Sequence, residues 1–390
     1  MSAAIQISEP TAAGRVLPAM QTADELIAAT RAVVEHELAP LTARIDTEGL
    51  YPKTVMHSLG AAGAFRPHLP DARPDGRHDF GTAIRAMAAV SHECLSTGFA
   101  TWCQDTCAWY LQMGEIEARD LWLEQLASGR VLGGTGMSNT MKAFSGIEDL
   151  RLTGERVDGG YIVNGSLPWV SNLGADHVFG SLFTLSGDTN RTVMALVDCS
   201  SPGFTLRQSA HFVALEGTRT FACLFDNVFI PDAHVIDHDG AGFLRRARAG
   251  LVLLQFGMGA GNIQGCIDVC RGVEPLLGHV NQFLDDRPDD LQEELDDIVD
   301  AVLTLAETPY ETSEDFFREI LQLRLAAGEL ALRASQSAML HTGAKGYLSS
   351  APAQRKLRES YFVAIVTPAT KHLRKELARM EAGGSLKFEV

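Results

Sequence analysis

Residues 160–178 read GYIVNGSLPWVSNLGADHV, and this stretch decides how the rest of the chain is interpreted. The stretch begins with a short apolar run and a turn at asparagine and glycine, and a polar corner follows its tryptophan. This pattern is typical of a strand that leads into a loop. Further short runs follow, namely HVFGSLF, TVMALVDC and FACLFDNVFI, separated by glycine, asparagine, aspartate and proline. Together these runs predict a compact all-β domain over residues 133–240.

Helical patterns lie on both sides of this domain. ELIAATRAVVEHELAPL precedes it, whereas GLVLLQFGMGAGNIQGCIDVC and LQLRLAAGELALRASQSAML follow it, all with apolar residues at helical spacing. The sequence therefore predicts a helical domain over residues 1–132 and a C-terminal helical bundle over residues 241–390. The acidic stretch DDRPDDLQEELDDIVD predicts an exposed loop that leads into a solvated helix.

The composition restricts the possible partners. A net charge of -16, from 49 acidic and 33 basic residues, gives no long-range attraction for nucleic acid or anionic membranes. No segment approaches the roughly 20 consecutive apolar residues of a membrane helix. The opening residues, MSAAIQISEPTAAGRVLP, contain no basic stretch followed by an apolar run. The sequence therefore predicts a cytoplasmic protein that acts on a small molecule.

The cysteines predict buried thiols and no metal site. They are odd in number, lie mostly in apolar helical segments and have no Cys-x-x-Cys spacing: Cys94, Cys103, Cys107, Cys199, Cys223, Cys266 and Cys270. Cys103 and Cys107 could share one face of a helix, but no second pair nearby would complete a zinc site.

Several strings resemble the acyl-CoA dehydrogenase family. They include LWLEQLASGRVLGGTGMSN, GYIVNGSLPWVSNLGADHV with its tryptophan corner, LEGTRTFACLFDNVFIPDAHVI and HTGAKGYLSSAPAQRKLRES. The opening helices, HELAPLTARIDTEGLYPKTVMHSLGAAGAF, are similar as well, and the likeness is weakest over residues 281–314. The resemblance implies an N-terminal helical domain, a central β-barrel and a C-terminal four-helix bundle, with FAD as the cofactor.

The resemblance also assigns residues to the cofactor. It implies that Trp169 packs against one face of the flavin ring, while Ser171 and Ser138 offer hydroxyl groups to its polar edge. Gly343 and Gly346 match a glycine turn where the FAD pyrophosphate or adenosine approaches closely. Alternatively, Trp169 is a buried core aromatic and the glycines form the C-cap of a helix.

The general base of the family is missing. Desaturation of a thioester requires a group that removes the alpha proton, and the resemblance places the family's glutamate at Thr367. A second known position precedes Arg248 and holds Ala247. A threonine hydroxyl is a poor base without an activating neighbour. Thr367, Arg248 and Asp105 remain the candidate catalytic residues, and Asn139 stands at another position where the family usually has a glutamate.

Two further segments depart from the family. The helix STGFATWCQDTCAWYLQMG places four residues near the floor of the acyl pocket by resemblance: Trp102, Cys103, Asp105 and Thr106. Trp102 would shorten that pocket or simply pack between helices, and Asp105 is either a buried carboxyl group with a raised pKa or a satisfied polar group. Arg287 is followed by Pro288 where relatives carry an arginine and a phenylalanine-glycine pair for FAD, so FAD binds weakly or through other residues.

Three functions are consistent with these observations. The first is a flavin-dependent monooxygenase that uses FAD, or reduced FAD or FMN from a separate reductase; His372 is the nearest histidine on the last helices, although its alignment falls elsewhere. The second is an acyl-CoA or acyl-carrier-protein dehydrogenase with a relocated base, Asp105 or Glu359, and an electron-transfer flavoprotein as partner. The third is a non-catalytic scaffold. By resemblance the protein is a homodimer or homotetramer.

Overall fold

The computed structural model describes residues 22–384 except 71, 74, 75 and 209. The opening residues that bear on the predicted location, 1–18, thus lie outside the described part. Within it the chain forms twelve α-helices: α1 Ala23–Val33, α2 Thr42–Glu48, α3 Lys53–Ala61, α4 Phe80–Glu93, α5 Leu95–Gln112, α6 Ile116–Ala127, α7 Met137–Phe144, α8 Gly240–Asn281, α9 Pro288–Leu305, α10 Glu314–Thr342, α11 Pro352–Ile365 and α12 Thr370–Glu381. None of these described helices combines the length and apolar character needed to cross a membrane.

The strands lie between α6 and α8, and α7 follows the first of them. They are β1 Gly133–Thr135, β2 Leu152–Val157, β3 Gly160–Val170, β4 Val178–Leu185, β5 Asp188–Asp198, β6 Phe204–Arg207, β7 Phe221–Pro231 and β8 Val235–Asp237. All eight belong to one sheet with the order β6-β7-β3-β2-β4-β5-β8, and β1 pairs with β4 in parallel. The order helical, β, helical is therefore confirmed.

The predicted β-barrel is wrong, because the sheet does not close. Closure requires the two edge strands to pair, and no pairing joins β6 to β8 among the described residues. The backbone N–H of Glu115, just before α6, donates instead to the carbonyl oxygen of Ile236 over 2.8 Å. The outer edge of β8 is thus covered by the helical region, which protects an edge without closing a barrel.

The C-terminal helices form the predicted bundle. The four helices α8, α9, α10 and α11 pack against one another, and α12 adds to the outside of α10. One continuous hydrophobic core joins this bundle to α4 and α5 of the N-terminal region. Residues 95–111 of α5 are all buried, so this helix supplies the centre of the molecule. The division of the chain into three domains, residues 1–132, 133–240 and 241–390, stays a prediction.

Candidate functional site

Two hydroxyl groups from distant parts of the sequence meet at the junction of the sheet and the bundle. The side-chain oxygens of Ser138 and Thr367 lie 2.9 Å apart, within hydrogen-bonding distance. Ser138 lies at the start of α7, directly after β1, and Thr367 lies in the short link between α11 and α12. The contact brings together Ser138, which is predicted at the flavin ring, and Thr367, to which the resemblance assigns the position of the family's glutamate.

The backbone explains why Thr367 is presented at this point. The helix α11 ends because Val366 leaves the helical region, with φ -60° and ψ 140°. Pro368 follows Thr367 and has no N–H group with which to continue a helix. The carbonyl oxygen of Thr367 accepts a hydrogen bond from Nε2 of Gln255 over 2.8 Å. The link is therefore fixed against α8 instead of projecting into solvent.

The tryptophan corner adjoins the same edge of the sheet. Trp169 is 57% exposed, which contradicts the alternative that it is a buried core aromatic. Ser171 is buried, and its hydroxyl oxygen lies 2.6 Å from that of Thr220. The side chain of Asn172 donates to the carbonyl oxygen of Gly133 over 2.7 Å. This bond ties the corner to β1, and β1 leads into the helix that carries Ser138.

A cleft of about 40 Å³ opens next to the Ser138–Thr367 pair. Its lining combines apolar side chains with a histidine, an arginine and a glutamate: Met141, Phe144, Ser145, Leu244, Arg248, Phe317, Leu321, Pro368, His372, Leu373 and Glu376. Mostly apolar walls with a few polar groups are typical of small-molecule sites. Arg248 lines the same cleft as Pro368, which directly follows Thr367. The catalytic roles of Arg248 and Thr367 stay predictions.

His372 belongs to this cleft, although its alignment with the family placed it elsewhere. Its Nε2 atom lies 2.6 Å from the hydroxyl oxygen of Ser145. Burial lowers the pKa of His372 to about 4, so the imidazole is neutral at physiological pH. A neutral imidazole can accept a proton at one nitrogen while it donates from the other.

The charged groups of the cleft are paired. Arg248 donates to Glu314 over 3.0 Å, and its guanidinium group lies 4.1 Å from the centre of the Phe317 ring. Burial lowers the pKa of Arg248, and the bond to Glu314 opposes that change. Glu376 is buried and lies 2.5 Å from Arg379. Arg248 thus has a fixed orientation, and Glu376 is a carboxylate that lines the cleft.

Glu359 and Asn139, the latter at a position where the family usually has a glutamate, make structural contacts. Glu359, a candidate for the relocated base, is buried and contacts Arg355 at 3.1 Å and Lys356 at 3.4 Å. The amide of Asn139 donates to Glu148 over 2.9 Å and its oxygen accepts from the backbone of Arg151 over 3.0 Å. Asn139 therefore fixes the turn that follows α7.

The residues predicted at the pocket floor are buried in α5. Trp102 donates from Nε1 to the carbonyl oxygen of Leu251 over 3.3 Å and stacks on Phe99 with ring centres 5.6 Å apart. Trp102 therefore packs between α5 and α8. Cys103 and Thr106 are likewise buried. No contact described in the structure joins these three residues to the Ser138–Thr367 pair, so their substrate role stays a prediction.

Asp105 is enclosed, and its two side-chain oxygens form no hydrogen bond within the described residues. It is 0% exposed, and one of its carboxyl oxygens lies 3.9 Å from Nδ1 of His68, which is also 0% exposed. Burial raises the pKa of Asp105 well above its ordinary value and lowers that of His68 to about 3. His68 is therefore neutral at pH 7, and burial without a close partner favours the neutral form of Asp105. The catalytic role of Asp105 stays a prediction.

The glycine turn follows α10. Gly343 has φ +58°, and a side chain built there would meet no atom within 4 Å. This open space is compatible with close approach of a ligand, and a turn that ends a helix also favours glycine here. A side chain at Gly346 would lie 2.0 Å from the hydroxyl of Thr342. Gly346 is thus required by packing within the turn.

The acidic segment is arranged as predicted. Arg287 precedes α9 and is exposed, and Pro288 occupies the first position of that helix. Arg333 binds two of the neighbouring acids, Asp286 at 2.7 Å and Glu294 at 2.7 Å. These ion pairs reduce the negative charge that the segment directs toward the glycine turn. Among residues 22–384 with their gaps, no group of three or more metal-ligating side chains is found.

Sequence reasoning missed three contributors to this site. Gln255 is an isolated polar residue in an apolar part of α8, whereas Arg324 and Glu376 lie in helices that contain several other charged residues. An isolated polar residue in an apolar helix is a signal for a buried hydrogen bond, and it could have identified Gln255. Nothing in the pattern around Arg324 or Glu376 distinguishes them from residues on a solvated helix face.

Comparisons with known proteins agree with this architecture. A family model described as the acyl-CoA dehydrogenase N-terminal domain matches residues 20–130. Benzylmalonyl-CoA dehydrogenase of Aromatoleum aromaticum is 23% identical over 360 residues, which cover 88% of this chain and 94% of that protein. The human mitochondrial short-chain specific acyl-CoA dehydrogenase is 24% identical over 366 residues, with coverage of 88% and 86%.

Solved structures share the fold. Butyryl-CoA dehydrogenase from Megasphaera elsdenii has a TM-score of 0.81 at 16% identity, covering 92% of this chain and 98% of that one. PigA with FAD and proline has a TM-score of 0.73 at 16% identity, with coverage of 92% and 97%. Dibenzothiophene monooxygenase (TdsC) from Paenibacillus sp. A11-2 has a TM-score of 0.77 at 13% identity, with coverage of 94% and 99%. The chain therefore has the acyl-CoA dehydrogenase fold, its residues 20–130 match the N-terminal domain of that family, and most of its length is similar to acyl-CoA dehydrogenases.

Proposed function

We propose that the protein is a flavin-dependent oxidoreductase of this fold that acts as a monooxygenase on a small substrate. The observation that carries the proposal is the Ser138–Thr367 pair: two hydroxyl groups face each other at 2.9 Å where the family places its carboxylate base. A hydroxyl pair can bind and orient a ligand, but it cannot remove the alpha proton of a thioester as a carboxylate does. A neutral histidine, His372, lines the adjoining cleft.

The residues at the sheet edge fit a bound FAD. Trp169 offers an exposed aromatic face, which suits the flat, apolar faces of the flavin ring. Ser138 lies in the same region, beyond the strand to which the corner of Ser171 and Asn172 is tied. Open space at Gly343 suits the adenosine side. Bound in its reduced form, the flavin would supply the two electrons with which molecular oxygen yields a hydroxylated product and water.

The chain's own groups would position the substrate and move protons. Phe144, Leu244 and Phe317 line the cleft with apolar surface and so limit the entry of water. Arg248, fixed by Glu314, offers an oriented positive charge to a polar substrate group. The imidazole of His372 is neutral and hydrogen-bonded to Ser145, so it can accept a proton from the substrate.

The segment around Arg287 also favours a cofactor that is bound weakly and exchanges with solution. Arg287 is exposed, and the neighbouring acids Asp286 and Glu294 are bound by Arg333. Arg287 is followed by Pro288 instead of the phenylalanine-glycine pair that the resemblance leads us to expect for binding FAD. A weakly held flavin can diffuse from a separate reductase, which would supply reduced FAD or FMN.

A flavin titration tests the proposal. The protein is titrated anaerobically with oxidised FAD and with dithionite-reduced FAD, and binding is followed by absorbance and fluorescence. We expect tighter binding of reduced FAD, release on oxidation, and oxygen consumption that depends on an added substrate. Tight binding of oxidised FAD followed by bleaching with a thioester would instead indicate a dehydrogenase. Absence of binding in both states would leave the non-catalytic scaffold.

A dehydrogenase with a relocated base is the second candidate, and Glu376 favours it. This carboxylate lines the cleft, which could admit a thioester of coenzyme A or of a carrier protein, with an electron-transfer flavoprotein as acceptor. If Glu376 is the base, the Glu376→Gln variant should bleach the flavin at least about 100-fold more slowly with a thioester. Glu329→Gln is the control, because Glu329 lies outside the cleft and pairs with Arg374 at 2.6 Å. Equal bleaching in E376Q and wild type would exclude this base.

Exposed apolar side chains at one end of the molecule favour a homo-oligomer. The ends of α8 and α10 are joined by a hydrogen bond of 3.1 Å from Asn281 to the carbonyl oxygen of His341. Large apolar side chains are exposed around this point: Leu276, Val280, Phe283, Leu340, Tyr347 and Leu348. Exposed apolar clusters of this kind are common at subunit interfaces. A homodimer or homotetramer would cover them.

A further inference from the structure

Arg324 is a buried cation in the middle of α10. Its side chain is 2% exposed. No ion pair with a carboxylate is recorded for it in the described part of the chain, and burial lowers its pKa to about 10. It remains charged at neutral pH. A buried charge is costly unless several hydrogen bonds compensate it, so the partners of this guanidinium group indicate what it does.

Those partners converge on the segment that ends in Thr367. The Nε atom of Arg324 donates to the side-chain oxygen of Gln255 over 2.9 Å, and another guanidinium nitrogen donates to the carbonyl oxygen of Val363 over 2.5 Å. Gln255 in turn donates to the carbonyl oxygen of Thr367 over 2.8 Å. The five-residue stretch from Val363 to Thr367 is therefore held at both ends by one arginine, directly at the first residue and through Gln255 at the last.

We infer that Arg324 is a positioning residue that sets the place of the Thr367 hydroxyl relative to Ser138. The N–H of Val366 still donates to the carbonyl oxygen of Phe362 over 2.8 Å, but the backbone dihedral angles of Val366 have left the helix, so helical hydrogen bonds no longer define the chain beyond it. Arg324 and Gln255 supply the missing constraints from two neighbouring helices, α10 and α8. Because the function of Thr367 rests on the proposed flavin site, this inference also rests on the proposed function, but its structural part can be tested without it.

Hydrogen exchange provides the first test. In Arg324→Met the bonds to Val363 and Gln255 are lost, and we expect the backbone amides of residues 364–371 to exchange at least about tenfold faster. Lys356→Met is the matched control, since Lys356 is also buried in the bundle and donates to two carbonyl oxygens, those of Ser91 and His92. A comparable loss of thermal stability in K356M without faster exchange at 364–371 would support the inference. Equal exchange in R324M and K356M would overturn it.

A double-mutant cycle provides the second test. Thr367→Val removes the hydroxyl, and we expect both T367V and R324M to weaken reduced-FAD binding by about 3–10-fold. If Arg324 acts through Thr367, the double variant should bind reduced FAD with the same affinity as whichever single variant has the lower affinity. Effects that multiply would mean that Arg324 acts independently and would overturn the inference. If the wild type binds no FAD, the proposed function fails, and the exchange experiment alone decides the role of Arg324.

Discussion

Replacement of Trp169 by alanine should weaken FAD binding by about 30-fold while it changes the free energy of unfolding very little. The indole is 57% exposed, so its removal leaves no cavity in the folded protein. In the complex it would cover one face of the flavin ring, an interaction of about 2 kcal/mol, which corresponds to the expected change in affinity. Fluorescence titration and urea unfolding of W169A measure the two quantities separately.

Two further variants make this result specific. Trp169→Phe keeps an aromatic face and should retain most of the affinity. Phe229→Ala removes an exposed aromatic from β7, at a position paired with Ile162 near the other end of β3. F229A should therefore bind FAD as the wild type does. Unchanged affinity in W169A would mean that the indole does not contact the cofactor, and an interface between subunits would then be its better explanation.

The architecture could be predicted from the sequence because its signals are local. The apolar spacing of residues 250–270 and 321–340 defines helices, and the short runs of residues 177–230 define strands. Closure of the sheet is not local. It depends on whether β6 and β8 meet, and the contact between Glu115 and Ile236 that covers β8 joins residues far apart in the sequence. The barrel was accordingly the part of the fold prediction that failed.

The same difference between local signals and contacts of distant residues applies to the site. Resemblance drew attention to Ser138 and Thr367 separately, yet their contact joins positions 229 residues apart and is visible only in the fold. His372 could not be placed by alignment, because the link after α11 determines which face of α12 meets the cleft. Nothing in the sequence around Arg324 marks it as buried, because a buried arginine and an exposed one have the same pattern around them.

Replacement of Asp105 by asparagine should stabilise the protein by about 1–3 kcal/mol at pH 8. Burial raises the pKa of this carboxyl group well above its ordinary value of 3.8. As the pH rises above about 4, the unfolded chain releases the proton and the folded protein keeps it, so the free energy of unfolding falls. Asparagine has a similar shape and does not titrate. Urea unfolding from pH 4 to pH 8 should therefore show a gap between D105N and wild type that widens with pH.

Asp79→Asn is the control, because it should behave in the opposite way. Although burial opposes the change, hydrogen bonds from Arg73 and Thr82 lower the pKa of Asp79. Its carboxylate stabilises the fold above pH 4, and this contribution is lost as the pH falls through the folded pKa. D79N should therefore be less stable than the wild type at pH 8 and approach it at low pH. Opposite slopes in the two variants would show that burial without a partner, and not negative charge in general, makes Asp105 costly.

The sign of the D105N effect also decides how Asp105 can act. A less stable D105N at pH 8 would mean that the carboxylate is ionised in the folded protein and paired with a protonated His68, 3.9 Å away. A more stable D105N with lower activity would mean that the chain retains a costly neutral acid because its proton is used. A more stable D105N with full activity would remove Asp105 from the candidate catalytic residues, and His372 and Glu376 would remain as the groups lining the cleft that can exchange a proton with a ligand.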